Sequence, residues 1–272
     1  MDLETTHLIG ADPHSQQHPL IGVVGGLGPH ASLYLVKRIH DLTKASKDQD
    51  HLNIALISTP SLVPDRTEFL EGKVAQNPAD AIHRAILILE QIGATVAGIP
   101  CNTSHAYPIF SVITSRLQAR KSKIRLINMV QEVAHYILEH HPKARNVGVI
   151  ATRGCIRART YDHFLSASGL RTIYPTESYI VQVHNAIYNE QWGIKAHCSP
   201  ISRIALNLIH ATMDHLIDAN ADVLVLGCTE LPLAFSKTVY HGIPVVDSAT
   251  VLARALILQV APHKLISNPR TT

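Results

Sequence analysis

The sequence predicts an α/β protein built from two similar three-layer α/β/α domains, each with a mainly parallel sheet, related by a pseudo-twofold axis. Short apolar runs of strand length alternate along the chain with segments of helical spacing, which is the pattern of parallel α/β folds. The pattern then restarts halfway. Two apolar strands of like sequence, centred on Gly22 and Gly148, precede the strand-end cysteines Cys101 and Cys228 by 79 and 80 positions. A duplicated unit is the economical explanation, and it places an active site in the interdomain cleft.

The first half of the chain predicts four strands and four helices. Each strand is a short apolar run, and each helix has apolar residues three or four positions apart. The strands are predicted at 20–24, 53–58, 94–99 and 124–128. The helices are predicted at 31–43, at 79–92, from 102 or 103 onward, and at 129–140. Asn77 or Asp80 is expected to cap the second helix, and Gly93 and Pro142 to end the second and fourth.

The second half repeats this alternation. Its strands are predicted at 146–150, 171–174, 222–226 and 244–247, and its helices at 160–168, 181–188, 202–219 and 249–259. The predicted division assigns 19–129 together with 238–264 to the first domain and 130–237 to the second. Loose tails are predicted at 1–18 and 265–272.

Composition excludes several classes of function. The 272 residues are 46% hydrophobic and 17% charged, and the net charge of +3 forms no basic stripe, so no nucleic-acid partner is expected. No apolar stretch approaches the roughly 20 residues of a membrane helix, so no membrane partner is expected. The start of the chain has no signal-peptide pattern, which predicts a cytoplasmic location and free thiols for the four cysteines. No C-x-x-C is present, so no metal site is predicted.

Two early segments are candidate anion sites. The glycine turn at 25–29 lets a ligand approach the backbone before a helix N-terminus. It matches neither G-x-G-x-x-G nor a P-loop, so a carboxylate beside Gly26 is more plausible than a pyrophosphate. Arg66 lies in the predicted loop 61–67 just past a strand, where it can bind a carboxylate through two hydrogen bonds. The alternative is a solvated surface arginine.

The cysteines at two strand ends suggest proton-transfer chemistry. Cys101 follows the strand at 94–99, and Cys228 follows the strand at 222–226. Ligands of open α/β sheets bind at such carboxyl ends. Two thiols that face each other across a cleft are able to remove a proton from one face of a carbon and return one to the other. Cys155 and Cys198 lie outside these motifs and are expected to be buried structural thiols.

These motifs resemble those of the aspartate/glutamate racemase family of cofactor-independent amino-acid racemases, in its aspartate-racemase branch. The resemblance extends over about residues 20–259. The matching stretches are residues 22–29 (GVVGGLGP), 64–67 (PDRT), 100–103 (PCNT), 151–152 (AT) and 227–232 (GCTELP).

The resemblance implies two α/β domains with the active site between them, an acidic amino acid as substrate, no cofactor and a homodimer. It implies Cys101 and Cys228 as the acid/base pair, and Arg66 as the residue that binds a substrate carboxylate or stabilises the deprotonated intermediate. The other implied substrate-binding residues are Gly26, Asn102, Thr103, Thr152, Thr229 and, in the second domain, Lys195.

Two further residues have open roles. A free thiol titrates near ~8.5, so the thiolate needs a nearby cation or helix N-terminus. His105, one turn beyond Cys101, either assists the thiol or packs under the loop. Glu230 either orients the substrate ammonium or caps the next helix, and capping is the expected role. Without a cofactor, oriented donors in a dry site must stabilise the carbanion.

Other functions fit parts of the same pattern. A related enzyme of the superfamily would act on a different carboxylate, as a hydantoin racemase, a maleate isomerase or a decarboxylase does. A two-lobed binding protein would clamp a ligand without chemistry. A redox role is disfavoured because neither strand-end cysteine has a partner in C-x-x-C spacing.

Overall fold

The computed structural model describes residues 19–266 and contains two separate sheets. The strands of the first are β1 Leu20–Gly25, β2 Asn53–Ser58, β3 Ala94–Gly98 and β4 Arg125–Ile127, in the order β2-β1-β3-β4. The strands of the second are β5 Asn146–Ala151, β6 Arg171–Ile173, β7 Val223–Gly227, β8 Val239–Tyr240 and β9 Ile243–Asp247, in the order β6-β5-β7-β9-β8. All pairs are parallel except β8 with β9, which confirms the predicted class.

Eleven α-helices lie between or after these strands within the described residues. They are α1 Pro29–Asp41, α2 Arg66–Leu70, α3 Ala79–Gln91, α4 Tyr107–Ala119, α5 Met129–His140, α6 Arg153–Arg157, α7 Asp162–Ala167, α8 Glu177–Tyr188, α9 Arg203–Asp218, α10 Leu231–Ala234 and α11 Ser248–Val260. None of them is long and apolar enough to cross a membrane.

Both faces of each sheet are covered, as parallel strands require. Leu20 and Val24 of β1 pack with α3 and α4 on one face, and the intervening Ile21 packs with α1 and α11 on the other. In β5, Val149 packs with α5 and α7, whereas Ile150 packs with α8 and α9. Each fully buried aliphatic side chain of this kind stabilises the fold by about 1.5–3 kcal/mol relative to an exposed one. The two three-layer units therefore have the same plan.

The end of the chain differs from the predicted division at one point. Residues 238–264 were assigned to the first domain, but β9 pairs with β7 and β8 pairs with β9 in the second sheet. From α11 onward the chain returns to the first unit, where α11 packs against α1 and β3. Asp247 ends β9, and its Oδ1 accepts a hydrogen bond from the Ala249 amide as the cap of α11. The remaining division stays a prediction.

The tails are only partly described. Residues 1–18, predicted to be a loose tail, and 267–272 lie outside the described residues. Leu265 and Ile266, predicted to begin the C-terminal tail, pair with the end of α1 instead. Leu265 bridges Thr43, and the Ile266 amide donates to the Leu42 carbonyl at 2.9 Å.

Candidate active site

Cys101 and Cys228 lie at the carboxyl ends of internal strands, one in each sheet. β3 leads to Cys101, which precedes a 3₁₀ turn at Asn102–His105, and β7 ends directly before Cys228. The cysteines are 6% and 5% exposed, and both line one cavity of about 10 Å³. Seven other predicted site residues line the same cavity: Arg66, Asn102, Thr103, Thr152, Lys195, Thr229 and Glu230.

A larger pocket of about 250 Å³ adjoins this cysteine cavity. Arg66, Tyr188, Lys195 and Glu230 line both spaces. The larger pocket reaches the protein surface, because the exposed residue His30 also lines it. We call it the outer pocket. The four shared side chains therefore form the boundary between solvent and the two thiols.

Arg66 is buried, contrary to the solvated alternative. It is the first residue of α2, whose cap Asp65 accepts a hydrogen bond from the Thr67 amide at 2.8 Å. The Arg66 Nη2 donates to the Leu27 carbonyl at 2.8 Å, and its Nε has no partner within the described chain. Burial disfavours the guanidinium charge, but the neighbouring Cys101, Tyr188 and Asp65 outweigh this and raise the pKa of Arg66. The side chain is thus a fixed cation beside Cys101.

Glu230 does not cap the helix that follows it, so the expected capping role is wrong. It occupies the cap position of the four-residue helix α10, but its side chain makes no capping hydrogen bond. The carboxylate turns back into the site instead. The Cys228 thiol donates to its Oε2 at 3.0 Å, and Lys195 Nζ lies 3.2 Å from its Oε1. The contacts of the Glu230 carboxylate with the Cys228 thiol and the Lys195 ammonium stabilise it more than a capping hydrogen bond at a one-turn helix would.

Lys195 lines both the cysteine cavity and the outer pocket. The loop after α8 folds back on the helix through hydrogen bonds from the Ile194 and Lys195 amides to carbonyls of that helix. Lys195 Nζ also lies 4.9 Å above the ring of Tyr188. Burial disfavours the ammonium charge, but Glu230 and Tyr188 outweigh this effect and raise the pKa of Lys195.

His105 has a structural role in this geometry. Its Nε2 accepts a hydrogen bond from the Met129 amide at 3.2 Å, so its Nδ1 carries the proton and donates to the Cys101 carbonyl at 2.9 Å. Burial lowers the pKa of His105 to about 4. The ring is therefore neutral, and it holds the Cys101 turn through the backbone.

The hydroxyl and amide side chains behind the cysteines mostly bond to the protein. Asn102 Nδ2 donates to Ser248 Oγ at 3.0 Å, and its Oδ1 accepts from the Tyr161 hydroxyl. Thr229 Oγ1 donates to the Pro100 carbonyl at 2.8 Å. These hydrogen bonds position the turns behind the cysteines, and the predicted contacts of Asn102, Thr103 and Thr229 with a substrate carboxylate stay predictions. The first amides of a helical turn have no partner within the turn and are further candidate donors to a carboxylate.

The other residues singled out in the sequence lie at different distances from the two thiols. Thr152 caps α6 and lies 3.0 Å from Thr103 across the two units (Oγ1 to Oγ1). Gly26 lines the outer pocket, but its amide donates to Ser32 Oγ at 3.2 Å. Cys155 is buried as expected, whereas Cys198 is only half-buried.

Tyr188 and Asp65 were missed by sequence reasoning. The Tyr188 hydroxyl donates to Asp65 Oδ2 at 3.1 Å, which links α8 of the second unit to the cap of α2 in the first. Tyr188 is the last residue of an amphipathic helix, and nothing in its sequence surroundings distinguishes it from a packing residue. Across residues 19–266 there is no group of three or more His, Cys, Asp or Glu side chains arranged to hold a metal ion.

Comparison with known proteins identifies relatives of this chain. A glutamate racemase of Koribacter versatilis is 28% identical over 215 residues, which cover 74% of this chain and 69% of that protein. The aspartate racemase of Picrophilus torridus has a similar structure, with a TM-score of 0.73, 27% identity and coverage of 89% of this chain and 94% of that one. An aspartate racemase homologue from Pyrococcus horikoshii shares the fold with a TM-score of 0.64 at 21% identity, covering 89% and 98% of the two chains.

The family model matches most of the chain. The model of the Asp/Glu/hydantoin racemase family aligns with residues 24–256, a span that contains both strand-end cysteines and every strand except the first four residues of β1. The chain therefore belongs to the Asp/Glu/hydantoin racemase family and, with its racemase homologues, to the isomerases.

Proposed function

We propose that this protein racemises an acidic amino acid, aspartate or glutamate, with Cys101 and Cys228 as a two-base pair and without a cofactor. The observation that carries the proposal is the pair of buried thiols that line one cavity at the carboxyl ends of two sheets. Two cations, Arg66 and Lys195, line the same space and suit a substrate with two carboxylates.

The proposed reaction transfers one proton on each face of the α-carbon. One cysteine, as the thiolate, takes the α-proton and becomes a thiol. The opposite thiol donates its proton to the other face of the carbanion and becomes the thiolate. Charge and protons balance, and the product is the mirror image of the substrate. The reverse reaction uses the same two groups with exchanged roles.

Stabilisation of the carbanion falls to fixed donors around the substrate carboxylates. The Arg66 guanidinium is held by the Leu27 carbonyl and leaves its Nε without a protein partner in the described chain. Preorganised donors in a site sheltered from water lower the barrier most effectively. The cysteine cavity has room for about one water molecule, so binding of an amino acid requires the walls of this cavity to move apart. Water is then excluded when they close on the substrate.

The direct test is α-proton exchange in heavy water. Incubation of the purified protein with L-aspartate or L-glutamate is expected to give the D-enantiomer with deuterium at the α-carbon, measured by chiral chromatography and mass spectrometry. Cys101→Ser and Cys228→Ser are each expected to lower racemisation by about 10²–10⁴-fold, the usual contribution of a general acid or base. Cys198→Ser, at a half-buried thiol outside the site, is the matched control and is expected to retain activity.

The proposal would be abandoned if neither acidic amino acid exchanged its α-proton under these conditions. A panel of hydantoins and unsaturated diacids would then separate the alternative enzymes, and calorimetric binding without turnover would favour a two-lobed binding protein. The homodimer and the cytoplasmic location stay predictions, supported by the resemblance and by composition. Light scattering of the purified protein tests the homodimer.

A further inference from the structure

The two thiols of the site face opposite charges. Cys101 lies beside the guanidinium of Arg66, and Cys228 lies beside the carboxylate of Glu230. We propose that Glu230 keeps the proton on Cys228, so that Cys228 is the acid and Cys101 the base when the enzyme is at rest. This inference rests on the proposed two-thiol racemisation and assigns unequal resting states to its two cysteines.

The geometry at Cys228 determines where its proton lies. Its Sγ is 3.0 Å from Glu230 Oε2, and Glu230 is 4% exposed. Lys195 Nζ lies 3.2 Å from the other carboxylate oxygen, which favours an ionised carboxylate. An ionised carboxylate accepts hydrogen bonds and has none to donate. The hydrogen between sulfur and oxygen therefore belongs to sulfur, and Cys228 is a neutral thiol.

The other groups near Cys228 do not reverse this assignment. Burial and Glu230 raise the pKa of the Cys228 thiol well above its usual value, although Lys195 opposes them. Burial disfavours the charge of Glu230, but Lys195 and the hydrogen bond from Cys228 outweigh it and lower the pKa of Glu230. Tyr161 also lies near Cys228, and burial raises the pKa of its phenol well above the usual value, so it is neutral.

The charged neighbour of Cys101 has the opposite sign to that of Cys228. Arg66 is its charged neighbour, because the guanidinium and the Cys101 thiol line the same cavity. Cys155 also lies near Cys101, but burial raises the pKa of that thiol to about 12, so it stays neutral. His105 is neutral and bonds only to the backbone carbonyl of Cys101. A thiol beside a fixed cation loses its proton before a thiol beside a fixed anion.

The asymmetry has to be measured on the thiols themselves. The two enantiomers of an amino acid have equal free energy, so kcat/KM must be equal in both directions at every pH, whatever the resting state. Alkylation by iodoacetamide consumes the thiolate, and its pH midpoint for each cysteine reports when that cysteine loses its proton. Restricted access to the site lowers the plateau rate and leaves the midpoint in place.

The experiment compares the substrate-free wild-type chain with Glu230→Gln, Lys195→Gln and the control Glu139→Gln. Peptide mass spectrometry follows alkylation of Cys101 and Cys228 between pH 6 and 11. In the wild type, Cys101 is expected to reach its midpoint at least about one pH unit below Cys228. Glu230→Gln should lower the Cys228 midpoint by about a unit or more and leave Cys101 within half a unit. Glu139 is exposed on α5, and its variant should match the wild type.

Lys195→Gln is expected to shift the pH midpoint of Cys228 alkylation in the opposite direction to Glu230→Gln. Removal of this cation should raise the Cys228 midpoint, whereas removal of the Glu230 anion lowers it. If the Glu230–Lys195 pair had only a structural role, both variants would shift Cys228 in the same direction. Glu230→Asp, which withdraws the carboxylate from the sulfur, replaces Glu230→Gln if the latter does not fold, and the same downward shift is expected.

Three outcomes would overturn the inference: equal midpoints in the wild type, a Cys228 midpoint below that of Cys101, or no downward shift in Glu230→Gln. The test is separable from that of the proposed function because no substrate is present. A chain that racemises aspartate with equal thiol midpoints refutes the inference alone. A chain with unequal midpoints and no α-proton exchange refutes the racemase alone.

Discussion

His105 is the residue whose position under the Cys101 turn has the clearest thermodynamic consequence. Its folded-state pKa is about 4, lowered by burial from a usual value of 6.5. Between these two values the unfolded chain binds more protons than the folded chain, so stability falls as pH decreases through that window. Full protonation is expected to cost up to about 3 kcal/mol below pH 4. Denaturant unfolding measured from pH 7.5 to 4.5 tests this expectation.

The control separates His105 from other histidines. His105→Gln loses packing and is less stable at all pH values, but its free energy of unfolding should depend less steeply on pH between 6.5 and 4.5 than that of the wild type. His135→Gln, at an exposed position on α5, should keep the wild-type slope. An unchanged slope in His105→Gln would contradict the assignment of a neutral buried imidazole.

Alanine substitutions at Gly28 and Gly26 give a second prediction, because they should affect stability and kcat through different contacts. A Cβ on Gly28 would lie 2.3 Å from Glu230 Oε1, whereas the backbone there is extended at φ −110° and accepts any residue. Gly28→Ala is therefore expected to lose stability only through the displaced Glu230–Lys195 pair, without backbone strain, and to lower kcat by about tenfold or more.

Gly26→Ala is the matched comparison. Gly26 has a φ of +85°, and a Cβ would lie 2.8 Å from the Pro60 backbone nitrogen, so this variant should lose about 1–2 kcal/mol or more. Thermal unfolding and steady-state racemisation of both variants distinguish the two effects. An unchanged kcat in Gly28→Ala would contradict the proposed close approach of the turn to Glu230.

At the scale of elements, the sequence predicted most strands and long helices because each carries a strong periodic signal. Residues 53–58 were predicted without error, and 146–150 to within one residue. The short helices α2 and α6 were not predicted, because five residues are too few for a period and are fixed by their caps Asp65 and Thr152.

The sheet partner of β9 was also beyond sequence reasoning. Periodicity locates a strand along the chain, whereas the choice between two similar sheets depends on packing between distant segments. The role of Glu230 was missed for the same reason. A glutamate just before a helix is favourable there because of its negative charge, and only the structure reveals Cys228 and Lys195 on either side of it.

The turn that carries Cys101 is fixed by a chain of hydrogen bonds, which provides an element-scale prediction. The Tyr161 hydroxyl donates to Asn102 Oδ1, Asn102 Nδ2 donates to Ser248 Oγ, and that hydroxyl donates to the Leu226 carbonyl of β7. Tyr161→Phe would leave the buried Asn102 oxygen without its donor and is expected to cost about 1–3 kcal/mol. Racemisation should also decrease, because the turns behind both cysteines depend on this chain.

Tyr34→Phe is the control for this loss. Tyr34 donates to Asp247 Oδ2 at 2.9 Å between α1 and α11, so its variant should lose stability and retain most of its activity. Chemical denaturation and α-proton exchange measured on both variants make the comparison. If Tyr161→Phe kept full activity at normal stability, the chain of hydrogen bonds would not position the Cys101 turn.

At the scale of the whole molecule, the proposed reaction requires the two units to separate and close, because the cysteine cavity holds only about one water molecule. Several contacts cross between them near the site. Arg153 of α6 binds both carboxylate oxygens of Glu71, which follows α2, and the Glu71 side chain is 10% exposed. Because α2 begins with Arg66, this ion pair fixes the cation of the site relative to the second unit.

The pair should therefore affect stability and catalysis together. The hydrogen bonds from Arg153 lower the pKa of Glu71 to about 2. Its stabilising contribution is present above the usual carboxyl value near 4.5 and is lost as pH falls from there toward 2. In a double-mutant cycle with Glu71→Gln and Arg153→Gln, a coupling energy of about 0.5–3 kcal/mol is expected at pH 7. Each variant should also lower kcat/KM by about tenfold, because α2 and Arg66 shift when the ion pair between Glu71 and Arg153 is lost.

The Glu71–Arg153 ion pair should also make the activity of the protein depend on salt. High ionic strength screens a partly exposed ion pair, so added salt should lower wild-type activity more than the activity of Glu71→Gln, in which the pair is already absent.

Asp41→Asn removes an exposed i,i+4 partner of Lys37 on α1 and should change neither stability nor activity by a measurable amount. A coupling energy near zero, with kcat/KM unchanged in both variants, would mean that closure depends on the hydrogen bonds at Thr103–Thr152 and Tyr188–Asp65 instead. In that case the corresponding cycle at Tyr188 and Asp65 should show the coupling that the Glu71 pair lacks.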